Sequence, residues 1–133
     1  MSIPASPEVL SLKENLLESM VSFMQGEDED DVGGRSGFEA GYTQDDIDRC
    51  AAIVDHYLLT LSRIKGKGED RNEAIMEAVK DTVLELNTLN DNCDGKLIET
   101  DQRETLCELL ITAAQEAGLE SDVDDITEEW REW

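Results

Sequence analysis

Apolar residues recur at intervals of three and four positions in four separate stretches of this chain, which is the spacing of one face of an α-helix. The stretches cover residues 6 to 25, 43 to 65, 69 to 90 and 101 to 118. Val, Ile and Thr nowhere alternate with polar residues over enough positions to indicate a sheet. The pattern therefore predicts an all-α fold with four main helices.

The predicted core is the set of apolar residues on these four helical faces. Its members are Val9, Leu12, Leu16, Met20, Phe23, Ile47, Cys50, Ala51, Val54, Tyr57, Leu58, Leu61, Ile64, Ile75, Val79, Val83, Leu86, Leu89, Leu106, Leu109, Leu110, Ala113 and Ala117. Among them we expect Leu58, Val83 and Leu109 to be buried.

Polar and glycine residues mark the helix ends. Ser6 precedes Pro7 and suits an N-cap, because proline favours the first helical position. Thr43 is followed three residues later by Asp46, an acidic variant of the capping box. Gly118 follows the last apolar position of the fourth stretch and is a typical C-cap.

The breaks between the stretches predict how the helices are connected. Residues 27–41 combine five consecutive acids with four glycines and read as a mobile acidic loop. The short turn at residues 66–68 favours an antiparallel return of the third helix on the second. We expect a single helical domain over residues 1–133, an antiparallel four-helix arrangement with an acidic C-terminal extension at 119–133.

Charge constrains the partners of the chain more than any other property. Asp and Glu number 33 against 11 Lys and Arg, which gives a formal charge of −22 over 133 residues. Such a charge repels nucleic acid and anionic membranes and attracts basic surfaces. Apolar runs are far shorter than the ~20 residues that cross a bilayer, and three widely spaced cysteines indicate reduced thiols. We therefore expect a cytoplasmic protein.

Two acidic segments and two tryptophans are the predicted partner-binding residues. They are Asp28, Glu29, Asp30, Asp31, Asp122, Asp124, Asp125, Trp130 and Trp133. Exposed acids that attract a basic protein raise its association rate. The tryptophans either fold back onto the core or serve as anchors for the partner. A solvated loop and tail are the alternative interpretation of the acids.

The segment from Asn90 to Asp101 resembles the twelve-residue calcium loop of the EF-hand family. Asn90, Asn92 and Asp94 occupy positions 1, 3 and 5, and Asp101 occupies position 12. A glycine stands at the sharp turn in position 6. Position 1 is a neutral Asn and position 12 is the shorter Asp, whereas the family uses a bidentate Glu there. These residues are the alternative metal ligands, and a polar turn between two helices is the other interpretation.

Catalytic signatures are weak in this chain. His56 is the sole histidine and follows an acid, but a catalytic set also needs a convergent nucleophile. The cysteines lack the CxxC spacing of zinc sites, and no phosphate-binding glycine loop follows a strand. We expect a non-catalytic protein without a cofactor.

The sequence therefore favours a small acidic protein that binds and blocks a basic protein partner, such as a nuclease or a nucleic-acid-binding protein. In size, charge and helix content alone it resembles immunity proteins and other small inhibitors. Two alternatives remain, a divalent-cation-binding helix-loop-helix protein and a nucleic-acid mimic whose carboxylates copy phosphate spacing.

Overall fold

The computed structural model describes residues 6–25, 42–64, 68–93, 95–119 and 126–133. All regular structure in this part of the chain is helical, which confirms the all-α prediction. The helices are α1 (Pro7–Gln25), α2 (Gln44–Ser62), α3 (Gly68–Asn92) and α4 (Thr100–Glu116). None of these helices combines the length and apolar content needed to cross a membrane. The predicted loop at 27–41 lies outside the described residues.

The predicted helix ends are confirmed at three places. The backbone N–H of Val9 donates to Ser6 Oγ at 3.2 Å, so Ser6 caps α1. Asp46 Oδ2 accepts the backbone N–H of Thr43 at 3.0 Å, as a capping box requires. Gly118 closes α4 with a φ of +108°, a conformation that a residue with a Cβ rarely adopts.

The predicted faces form the core. Leu58, Val83 and Leu109 are buried, as expected. Four other predicted members are only half-buried: Leu12, Ala51, Ile64 and Ala117. The side chain of Phe23 lies outside the described part. Burial of apolar side chains on one face of each helix supplies the main stabilisation of such a fold.

Side-chain hydrogen bonds connect opposite ends of α1 and α4. Ser6 Oγ at the start of α1 donates to Glu116 Oε2 at the end of α4, at 2.8 Å. Gln102 Nε2 in the first turn of α4 donates to Ser19 Oγ in the later part of α1, at 3.0 Å. The two helices therefore pack along their lengths, as α2 and α3 also do.

Arg71 joins three helices at one end of the molecule. Its Nε donates to the carbonyl of Ala117 at 2.6 Å, and its Nη1 donates to the carbonyl of Ile64 at 3.2 Å. Both carbonyls lie just beyond the ends of α4 and α2, where backbone acceptors lack helical partners. A Cβ added at Gly118 would lie 3.0 Å from Arg71 Nε, so glycine also leaves room for this side chain.

The connection between α3 and α4 is organised by Asn90. This side chain is buried, and its Oδ1 accepts the backbone N–H of Ile98 at 2.9 Å. Its backbone carbonyl accepts the N–H of Gly95 at 2.8 Å, and Gly95 has a φ of +73°. Leu97 and Ile98 are consequently buried in a bent connection rather than in an extended piece.

Candidate functional site

The acids predicted to bind a partner lie outside the described residues. This holds for the first group, Asp28, Glu29, Asp30 and Asp31, and for the second group, Asp122, Asp124 and Asp125. Their role in partner binding therefore stays a prediction. The described helices carry a further concentration of acids, on α3.

The solvent side of α3 is strongly acidic. Its exposed carboxylates belong to Glu69, Asp70, Glu73, Glu77, Asp81, Glu85 and Asp91. Lys80 is the one exposed basic residue of α3, since Arg71 is half-buried in the contacts described above. We call these seven acids the acidic face of α3. Glu69 and Asp70 lie in the first turn, where negative charge stabilises a helix. The acids further along α3 repel one another at four-residue intervals and destabilise it slightly.

Four of these acids follow one another at intervals of four residues: Glu73, Glu77, Asp81 and Glu85. Because a helix rises about 1.5 Å per residue, successive carboxylates are about 6 Å apart along the axis. The row therefore presents evenly spaced negative charge that winds about a third of a turn around α3.

An exposed leucine interrupts the acidic face. Leu84 is 42% exposed, and the other exposed large apolar side chain among the described residues, Leu10, lies on α1. Leu84 follows Lys80 by one helical turn and stands between the acids of adjacent turns. An apolar side chain surrounded by carboxylates suits a partner that combines basic and apolar groups.

A groove runs beside this face, between α2 and α3. It consists of two recesses of about 390 and 450 Å³ that meet at Glu85. The first is lined by His56, Thr60, Ala78, Asp81, Thr82, Leu84 and Glu85. The second is lined by Arg49, Ala52, Ile53, Glu85, Thr88, Leu89 and Asn92. We call both recesses together the α2/α3 groove.

The two tryptophans lie in a C-terminal segment, residues 126–133, that folds onto α3 and α4. Ile126 and Thr127 are buried, whereas Trp130 and Trp133 are half-buried and pack against the core. The Sγ of Cys107 on α4 lies 3.6 Å from Thr127 Oγ1. Both predicted anchors thus contact the protein's own core.

Asn87 of α3 holds this segment through its backbone. Its Nδ2 donates to the carbonyl of Trp130 at 2.8 Å, and its Oδ1 accepts the N–H of Glu132 at 3.1 Å. One side-chain amide thereby satisfies a donor and an acceptor of the segment. The Nε1 of Trp133 is buried without a hydrogen-bond partner, which leaves one donor of the docked segment unsatisfied.

The residues of the calcium alternative are placed differently from an EF-hand loop. Asn90 and Asn92 belong to the last turn of α3, and Asp101 belongs to the first turn of α4. Asp94 lies outside the described residues. The Oδ1 of Asn90 already accepts the N–H of Ile98. No cluster of three His, Cys, Asp or Glu suited to a metal ion occurs in the described ranges.

His56 and the cysteines show no convergent catalytic set in the described residues. His56 is exposed beside the α2/α3 groove. Cys50 is fully buried, and this burial, with a smaller contribution from Cys93, raises the pKa of its thiol to about 12. Such a thiol stays protonated at neutral pH and is a poor nucleophile.

Tyr42 and Tyr57 have structural roles. Tyr57 Oη donates to the carbonyl of Leu110 at 2.7 Å, and Tyr42 Oη donates to the carbonyl of Met20 at 2.8 Å. Burial first, and then the charges of Glu99 and Cys93, raise the pKa of Tyr42 to about 12. Burial also raises the pKa of Tyr57. Tyr57 therefore joins α2 to α4, and Tyr42 joins the segment before α2 to α1.

The sequence reasoning overlooked the acidic face of α3. It concentrated on the densest acidic runs, which fall in the loop and the extension. The signal was nevertheless present, because acids at four-residue intervals on the polar side of a predicted helix share one face.

No protein-family model, curated protein or solved structure matches this chain.

Proposed function

We propose that this chain is a small, non-catalytic binding protein that occupies and blocks a basic surface of another protein. The observation that supports this most is the acidic face of α3, with seven exposed acids and one exposed lysine. The formal charge of −22 extends the same character to the whole chain. A basic active site of the kind that binds phosphate backbones is the complementary partner, in the manner of an inhibitor or immunity protein.

Electrostatic steering is the mechanism of this proposal. Exposed carboxylates contribute little to folding stability but strongly affect the rate at which a basic partner arrives. They also repel nucleic acid, which shares the negative sign, so the chain competes for a basic site without binding the substrate. Asp28, Glu29, Asp30, Asp31, Asp122, Asp124 and Asp125 are further partner-binding residues in the proposal.

The proposal is tested by reversing charge on α3 and, as a matched control, on α1. The first variant is Glu73→Lys with Glu77→Lys, and the control is Glu14→Lys with Glu18→Lys. Both pairs are exposed, span four residues and change the charge equally. Immobilised proteins capture partners from an extract of the native host at 0.05 M and at 1 M NaCl, and the association rate of the captured protein is measured.

We expect the wild type to retain basic proteins at low salt and to release them at 1 M, where the Debye length is ~3 Å. The α3 reversal should slow association at least tenfold, and the α1 reversal much less. If neither reversal changes association at low salt, the acidity serves only solvation and the proposal fails.

A nucleic-acid mimic is the second candidate, favoured by the row Glu73, Glu77, Asp81 and Glu85. Its axial step of about 6 Å is nearly twice the ~3.4 Å step of the phosphates along one DNA strand, so the row copies the sign and regularity of a strand at about half its charge density. In this case the partner is a DNA-binding protein, and a short DNA duplex should displace it competitively. A partner that binds the duplex and this chain together would contradict the mimic.

The cation-binding alternative has less support. It requires the side-chain oxygen of Asn90 to exchange its hydrogen bond with Ile98 for a metal ion. The connection would also have to lengthen, because an EF-hand loop takes twelve residues and α3 extends to Asn92.

Arrangement and location complete the proposal. The bonds from Ser6 to Glu116 and from Gln102 to Ser19 support an antiparallel course of α1 and α4. Cys50, Cys93 and Cys107 form no disulfide, which is consistent with a cytoplasmic location, where thiols stay reduced.

A further inference from the structure

We propose that the α2/α3 groove receives an amphipathic helix of the basic partner, with apolar side chains in the groove and Lys or Arg side chains against Asp81 and Glu85. This inference rests on the proposed function and specifies where the partner binds and in what form. Helices that lay an apolar face into a groove between two others are a common recognition mode.

The groove has the dimensions of a short helix. It extends along α3 from Ala78 to Asn92, which is about 21 Å at 1.5 Å per residue. A partner helix of roughly 14 residues has the same length. The combined recesses are open along one side, between two helices that pack closely beneath them.

Apolar and acidic groups are arranged for such a helix. Ile53, Ala78 and Leu89 line the groove and are half-buried or buried. Leu84 stands at the rim, where a partner can cover an apolar side chain that is now 42% exposed. Asp81 and Glu85 are exposed along the same rim, whereas Arg49 of α2, also exposed, lines the second recess, so the basic side chains of the partner lie on the α3 side. Protein interfaces commonly have an apolar centre surrounded by a polar rim, and the groove has the same arrangement.

Neighbouring surfaces fit this partner less well. The side of α3 and α4 near Asn87 is already covered by the C-terminal segment. A recess of about 390 Å³ between α1 and α2 is lined by Glu18 and Asp48. It has no exposed large apolar side chain comparable to Leu84 among its described residues. That recess therefore serves as an internal control.

The probe is a synthetic 14-residue peptide with Leu on one helical face and Lys on the other. A second peptide has the same composition in a scrambled order, which keeps the charge and removes the apolar face. Each is titrated into the full-length, isotope-labelled protein at 0.15 M NaCl, and nuclear magnetic resonance locates the binding. We expect at least tenfold tighter binding of the amphipathic peptide, with shifts concentrated at Ala52, Ile53 and Thr88.

Two substitutions separate the groove from its control. Ala52 is exposed and lines the α2/α3 groove, and Ser22 is exposed and lines the recess between α1 and α2. Ala52→Phe should weaken the amphipathic peptide at least tenfold, whereas Ser22→Phe should change its affinity less than twofold. Melting temperatures establish that both variants fold. If Ala52→Phe is unstable, Leu84→Ser replaces it, because Leu84 lines the groove and is not one of the buried core residues.

The outcomes distinguish this inference from the proposed function. Equal binding of both peptides, with shifts spread over the acids of all four helices, would overturn the groove and leave charge-driven binding intact. Shifts centred on Leu17 and Val21 would also overturn it. Failure of the charge-reversal experiment on α3 would remove the proposed function itself, whatever the peptides do.

Discussion

Two leucines of similar chemistry have opposite environments. Leu109 on α4 is fully buried, and Leu84 on α3 is 42% exposed. Leu109→Asp places a carboxylate in the core without a partner and should lower the free energy of unfolding by roughly 3–5 kcal/mol. Leu84→Asp, as the matched control, should lower it by only about 1 kcal/mol, through weaker helix propensity and repulsion by the neighbouring acids. Urea unfolding followed by far-ultraviolet circular dichroism measures both, and equal losses would contradict the assigned core.

Cys50 makes folding stability depend on pH under alkaline conditions. Its pKa is raised from 9.0 to about 12, so the unfolded chain releases this proton first as pH rises. The stability contribution is complete below about pH 9 and is lost as pH approaches 12. At pH 10.5 the loss should be about 2 kcal/mol relative to pH 8.

Comparison of the wild type with Cys50→Ala isolates this contribution. Tyr42 and Tyr57 titrate in the same alkaline direction in both proteins, so they cancel in the difference. Urea unfolding in a thiol-free reductant at pH 8 and 10.5 should show a smaller decrease for the variant. The same decrease in both proteins would mean that Cys50 is not buried.

The burial of single residues was predictable where apolar side chains recur at helical spacing. Leu58, Val83 and Leu109 were found because each occupies the apolar side of a periodic stretch. The burial of Leu97 and Ile98 was not predicted, because they lie in a polar connection where apolar residues show no helical spacing. Their burial depends on the hydrogen bond from Ile98 to Asn90, which joins positions that spacing alone does not relate.

Asn87 should control the docking of the C-terminal segment. Asn87→Ala removes both hydrogen bonds to the backbone at Trp130 and Glu132. The free energy that holds the segment on α3 should fall by about 2 kcal/mol, and amide exchange in residues 126–133 should accelerate roughly 30-fold. Hydrogen exchange read by mass spectrometry measures this. Asn15→Ala, an exposed change on α1, is the control, and unchanged exchange in the Asn87 variant would contradict the role of its amide.

The connection between α3 and α4 should not bind calcium tightly. Asn90 is neutral, its oxygen accepts a bond from Ile98, and Asp101 is shorter than the Glu of an EF-hand. Calorimetry at physiological calcium concentrations should give no micromolar binding. Micromolar binding that disappears in Asp94→Ala would overturn this expectation and favour the cation-binding alternative.

Elements were predicted with small errors at their ends. α3 continues to Asn92, two residues beyond the expected 90. The apolar spacing stops before the polar residues Asp91 and Asn92, so it marks the end of the helix too early. α2 ends at Ser62 although its apolar period continues to Ile64. Contacts between elements, such as Arg71 with Ala117, were not predictable from local pattern, because they depend on how helices are placed together.

Self-repulsion should limit the stability of the whole molecule at low salt. The formal charge is −22, and the described surface carries acids on every helix. Between 0.01 and 0.5 M NaCl the Debye length falls from ~30 Å to a few ångströms, so repulsion within the native state is screened. The melting temperature should therefore rise by several degrees.

A charge-reduced variant provides the control for this salt effect. Glu73→Gln with Glu77→Gln removes two exposed charges without changing side-chain size. Its melting temperature at 0.01 M should exceed that of the wild type, and its dependence on salt should be shallower. If the wild-type melting temperature does not depend on NaCl, charge repulsion destabilises the native and unfolded states equally, which would contradict this expectation.

The C-terminal segment also determines what an optical measurement of this protein reports. Both tryptophans of the chain, Trp130 and Trp133, lie in residues 126–133. Their fluorescence therefore reports on the docking of this one segment, and on the four helices only through the contacts that the segment makes with the core. If that segment leaves α3 before the helices unfold, emission and circular dichroism will give different midpoints. Such a difference would mark a detached segment rather than a folding intermediate of the helical core.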